Sequence, residues 1–174
     1  MTHPSRLLLL IPCLVICGCT APENQTSSAT PSRQRIHLYV RTLPDKSRIY
    51  YYSAEATPPA GYSATTDLPE LQSGNFDAAM TPQPGMVPVY SFTIPAGDGL
   101  IYYLSLSKET PRMFSDRKIQ FYAYAAPQPG TIPVYLYTIL PHDTQVYYYS
   151  TSETAPPGFP AQRSVPAFYV FPAN

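Results

Sequence analysis

The chain has 174 residues, 11 basic and 11 acidic, for a net charge of zero. That balance removes the electrostatic basis for nucleic-acid binding, which needs clustered Lys and Arg, and no partner of that kind is expected. Its 22 prolines exclude long helices, because an interior Pro removes a hydrogen bond and clashes with the preceding turn. Charged residues make up only 13%, about half the usual share, so Tyr, Ser, Thr and Gln must carry the surface of one domain of ordinary size.

The chain begins with one basic side chain, Arg6, then an apolar run over 7–16, then Ile16-Cys17-Gly18-Cys19. A short basic start, an apolar stretch and small residues at the exit make a secretory signal. The run is shorter than the ~20 apolar residues a membrane-spanning helix needs. Its ending resembles the lipobox of bacterial lipoproteins. The resemblance implies a signal peptide over 1–18, Ile16, Cys17 and Gly18 as lipobox positions, and Cys19 as the acylated residue. Cleavage there removes Cys13 and Cys17, so the mature chain keeps one Cys and forms no internal disulfide. Several acyl chains give stable anchoring where one is marginal. Thr20, where Asp would signal retention, implies the outer membrane in a Gram-negative envelope. Residues 19–35 then read as the lipidated Cys and a disordered linker, rich in Ser, Thr and Pro and without apolar periodicity.

From residue 36 the chain repeats itself, in units 36–86, 87–131 and 132–174. Each opens with an apolar strand: Leu38-Tyr39-Val40, Val89-Tyr90-Ser91 and Val134-Tyr135-Leu136. These place Tyr39, Tyr90 and Tyr135 at one repeat position. Tyr-rich strands follow at 49–53, 101–105 and 146–150. Phe76, Phe121 and Phe168 start a closing strand in each unit. A weaker segment precedes it near Tyr62, Phe114 and Phe159. β-Branched and aromatic runs bounded by Pro, Gly, Asp and Ser read as strands. Pro84-Gly85 and Pro129-Gly130 read as turns between units. Three units of about four short strands are too few for a propeller. They predict an all-β, β-trefoil-like domain over 36–174, closed so that no Tyr-rich edge stays open. Another compact all-β arrangement of three hairpin-rich units is the alternative.

Pro88-Val89-Tyr90, Pro133-Val134-Tyr135, the Tyr-Tyr strands and Phe121-Tyr122-Ala123-Tyr124 resemble a bacterial family of secreted repeat domains of unknown function. The turn after each first strand departs from that family's Gly-Asp-His pattern: Asp persists and the following His does not. The resemblance implies an architecture and no activity.

Asp45, Asp98 and Asp143 recur at those turns. A turn carboxylate can accept sugar hydroxyls while an aromatic ring stacks on the sugar's apolar face. Asp45, Asp98, Asp143 and the tyrosines Tyr52, Tyr103 and Tyr149 are therefore the candidate ligand contacts. Against this, Asp is a good turn former and strand tyrosines fill cores. Glu55, Glu109 and Glu153 also recur, but three symmetric carboxylates do not make the unequal pair glycoside hydrolysis needs. His37 and His142 have no metal-ligand spacing, and no catalytic residue, metal site or cofactor is expected. The sequence thus points to a membrane-anchored, non-catalytic repeat domain that binds envelope or matrix glycans. The alternative is a structural or protein-interaction module of the envelope. Oligomeric state is left open.

Overall fold

The computed structural model describes residues 32–97, 99–141, 144–160 and 165–173. The signal segment, the lipobox residues with Cys19, and most of the linker lie outside the described residues. The elements run β1 (Arg33–Thr42), β2 (Arg48–Ser53), β3 (Ser63–Ala64), a 3-10 helix (Pro69–Gly74), β4 (Phe76–Ala79), β5 (Met86–Ala96), β6 (Gly99–Ser105), β7 (Ser115–Tyr124), β8 (Ile132–Ile139), β9 (Val146–Ser150) and β10 (Pro166–Val170). The all-β class follows directly: Val, Ile, Tyr and Phe fill these strands, where branched and aromatic side chains pack well on a pleated surface.

The expected strand count is corrected. Among the described residues, units two and three show three strands each, and only unit one has an extra one, β3. The weaker segments are turns. The N–H groups of Tyr62, Phe114 and Phe159 bond the carbonyls of Pro59, Pro111 and Pro156. The third turn residues, Gly61, Met113 and Gly158, have φ of 81°, 77° and 90°. Each turn drops a ring onto the second strand of its unit: Tyr62 on Tyr51, Phe114 on Tyr103, Phe159 on Tyr148.

All strands belong to one sheet, with the path β2-β1-β4-β7-β10-β8-β9; β5 joins β7 and carries β6. The expected closure of the sheet is corrected: the path is open at β2 and β9, which do not pair. Its ends do not face water as bare edges, because β2, β6 and β9 pack against one another. Three antiparallel hairpins result, β1–β2, β5–β6 and β8–β9.

Cross-strand partners show how the units correspond. Ile36 faces Phe76, Val89 faces Phe121 and Val134 faces Phe168. All six are buried, and the three Phe rings meet edge to face at 5.6, 5.7 and 6.2 Å between centroids. Further along, Tyr39 faces Tyr51, Phe92 faces Tyr103 and Tyr137 faces Tyr148. Tyr39 therefore corresponds to Phe92 and Tyr137, not to Tyr90 and Tyr135. The residue of unit one that matches those two is His37. The hydroxyls agree: Tyr39 donates to the carbonyl of Glu55 and Tyr137 to that of Ser152, each two residues past the Ser that ends its hairpin.

Candidate functional site

The first hairpin turns at 43–47. The N–H of Lys46 bonds the carbonyl of Leu43, and the N–H of Leu43 bonds the carbonyl of Ser47. Asp45 fits this turn because its short carboxylate reaches two residues on. Its Oδ1 accepts from the Ser47 N–H at 2.9 Å and from the Ser47 hydroxyl at 2.6 Å. The turn-forming reading of this Asp is thus present in the structure.

The turn ends of all three hairpins meet around one cavity of about 450 Å³. Buried Ile49 and Val146 lie at its depth, with Ala96 beside them, and Leu43, Pro44 and Pro141 make apolar walls. Exposed Asp45, with Ser47 and Thr144, supplies the polar edge. Asp98 and Asp143 lie outside the described residues; their chain neighbours Gly97 and Thr144 line the cavity.

The candidate tyrosines are placed elsewhere. Tyr52 and Tyr149 are 2% and 0% exposed. The Tyr52 hydroxyl accepts from the backbone N–H of Tyr149 at 2.7 Å and donates to its carbonyl at 2.9 Å. The Tyr149 hydroxyl treats Leu104 likewise, at 2.8 and 2.6 Å. Leu104 is the third equivalent and has no hydroxyl; Gln120 Nε2 bonds the Tyr52 carbonyl instead, at 2.9 Å. Burial holds the Tyr52 and Tyr149 phenols well above their ordinary range. Tyr103 is half-buried against Phe92, Phe114 and Tyr147. The expectation that Tyr52 and Tyr149 offer a ring to a ligand is corrected. The reason is that the second strands face one another, so their rings join the units.

The neighbouring tyrosines do the same. Tyr50 meets Tyr148 at 5.1 Å, Tyr102 meets Tyr51 at 4.5 Å and Tyr147 meets Tyr103 at 4.9 Å. Each contact joins a unit to the next in one cyclic direction. Burial pushes the Tyr50 and Tyr102 phenols up to about 12.

The recurrence of Glu55, Glu109 and Glu153 does not survive the register. The Ser53, Ser105 and Ser150 hydroxyls cap the N–H two residues on, at Glu55, Ser107 and Ser152. Ser107 and Ser152 therefore match Glu55, and the three Glu are not equivalent. Among the described residues no group of three His, Cys, Asp or Glu could hold a metal ion.

Two surface features were not anticipated. One is an apolar groove of about 430 Å³ between units two and three, lined by Ile94, Phe114 and Tyr147, with Met113 and Leu140 exposed on it. The other is a cleft of about 450 Å³ beside β1, where Arg35, His37, Gln72 and Asn75 lie among apolar residues such as Leu38, Ala64 and Ala173. Its signal was in the repeat itself: unit one breaks the pattern there. Comparisons with protein-family models, with characterised proteins and with solved structures returned no match.

Proposed function

We propose that this chain is a lipid-anchored protein of the bacterial envelope, sorted to the outer membrane, whose domain is a non-catalytic, β-trefoil-like binding module for envelope glycans. The ligand sits where the three hairpin turns meet. The convergence of those turns on one cavity, with Asp45 on its edge, carries the reading. Apolar walls suit the C–H face of a sugar, and Asp45, Ser47 and Thr144 suit its hydroxyls. The threefold recurrence of the Phe cluster, the Tyr contacts and the ring-bearing turns supports the trefoil-like arrangement. Position supports the binding end. The tether joins at Arg33, and β1 runs ten residues from there to the first turn, roughly 30 Å along a strand. The cavity thus lies at the end of β1 away from its first residue.

Anchoring through Cys19 is tested by fractionation: Cys19→Ala releases the protein from the membrane fraction and abolishes palmitate labelling. Labelling that persists in that variant contradicts the acceptor. Ligand binding is tested by capture on a glycan array that includes peptidoglycan fragments.

A second reading, a protein-interaction module, is favoured by the groove on which Met113 and Leu140 are 77% and 62% exposed. A pull-down from envelope extract that loses its partner on Leu140→Ser distinguishes it from the glycan reading.

A further inference from the structure

Unit one departs from the repeat at one place. Between the Ser that ends the hairpin and the Phe that opens the closing strand lie steps of 23, 16 and 18 residues in units one, two and three. The extra length of unit one carries β3 and the 3-10 helix, which fold back against β1. Two positions of β1 depart as well. Where units two and three have Pro88-Val89-Tyr90 and Pro133-Val134-Tyr135, unit one has Arg35-Ile36-His37. Arg35 and His37 alternate onto one face of the strand, and that face borders the cleft formed with the extra segment.

The walls are held rigidly. Asn75 Oδ1 accepts from the Leu38 N–H at 3.0 Å, and Asn75 Nδ2 donates to the Gln72 carbonyl at 3.1 Å. Gln72 Nε2 donates to the carbonyls of Thr65 and Thr66, and the Thr65 hydroxyl to that of Leu38. Arg35 Nε is fixed on Asp77 Oδ1 at 2.6 Å. His37 stacks on Tyr39 with ring centroids 6.0 Å apart.

We propose that this cleft is a binding site for a neutral, hydroxyl-rich small molecule the size of a single sugar residue, contacted by Arg35 and His37 and walled by Thr65, Gln72 and Asn75. Its volume is that of pockets that enclose small molecules. The Asp77 carboxylate compensates the Arg35 charge, so an anion gains little there. A hydroxyl, which both donates and accepts, matches guanidinium, neutral imidazole and amide together. His37 is kept neutral by burial first and by the Arg35 charge second, against the opposing pull of Asp77. A neutral imidazole offers one donor and one acceptor. The site lies roughly 20 Å along β1 from the hairpin turn and does not rest on the reading of the hairpin-end cavity.

The test is an NMR titration of full-length protein in mild detergent with glucose, galactose, mannose and N-acetylglucosamine. One of these shifts the His37 imidazole signals saturably. His37→Tyr, which installs the residue the other two units carry, keeps the fold and weakens that binding about tenfold, the loss of one good hydrogen bond. Asp45→Ala leaves it unchanged. The proposal is overturned if no sugar of the panel moves His37, if His37→Tyr binds as tightly as the parent, or if the shifts fall on Ser47 and Thr144 instead. In that last case the hairpin-end reading stands without it.

Discussion

The phenol oxygen of Tyr52 bridges the backbone N–H and carbonyl of Tyr149, 97 residues away, at 2.7 and 2.9 Å. One side chain thus satisfies both main-chain groups of a fully buried residue in another unit. Tyr52→Phe keeps the ring and removes both bonds. It should lower unfolding free energy by about 2–4 kcal/mol, the cost of leaving two buried polar groups unpaired. Urea denaturation reads this as a lower midpoint with an unchanged slope. Tyr149→Phe should cost a similar amount, since it strands the two backbone groups of Leu104.

At the third position, Leu104 leaves the Tyr52 carbonyl to Gln120. Gln120→Ala should cost about 1–2 kcal/mol by orphaning that carbonyl. Leu104→Tyr alone should cost about 1–3 kcal/mol by overpacking against Gln120. Combined, the larger ring takes the vacated space and its hydroxyl takes the carbonyl. The double variant should be more stable than either single one, a coupling that a double-mutant cycle measures.

Met113 holds a backbone conformation, φ 77°, that the other two units give to Gly61 and Gly158. A side chain there strains the chain, and this one is 77% exposed, so it gains little from packing. Met113→Gly should raise stability by about 0.5–1 kcal/mol, after the entropy that Gly itself costs. A thermal melt should shift upward by a few degrees. If Met113 also serves a partner at the groove, the same variant loses the pull-down partner while gaining stability.

Stability should be insensitive to the tyrosines at neutral pH and fall in alkali. The phenols of Tyr50 and Tyr102 sit near 12, and those of Tyr52 and Tyr149 are also raised, against an ordinary 10. The folded state therefore holds these protons more tightly than the unfolded state. Below pH 10 both states are protonated and the contribution is complete. From there upward the unfolded chain ionises first, and stability is lost as pH climbs toward and through the folded values. The tyrosinate absorbance that Tyr52 and Tyr149 contribute should rise together with loss of near-ultraviolet circular dichroism, because both phenols are fully buried in the folded state.

Much of this fold was legible. The aromatic strands and the Pro-Gly turns came from repeated residue types. The register of β1 was not. Matching Tyr39 to Tyr90 satisfies the eye, but the true match, His37 with Tyr90, lies two residues earlier. A shift of two preserves the alternation of faces, and either alignment needs a one-residue gap before the second strand. The pairings of Ile36 with Phe76 and of Tyr39 with Tyr51 decide it. The roles of Tyr52 and Tyr149 were illegible for a related reason: alternation says that some Tyr of each run points inward, while which one depends on how three hairpins meet. Asp45 was readable as a turn former, and its place on a shared cavity was not, because the cavity is made by units far apart in sequence.

The most direct test of the binding module is capture of full-length protein, in mild detergent, on a glycan array that includes peptidoglycan fragments, beside its Asp45→Ala variant. The account predicts saturable binding to one class of glycan and a clear loss in the variant, with the fold intact by circular dichroism. Folded parent protein that captures no glycan, or a variant that binds as the parent does, would contradict it.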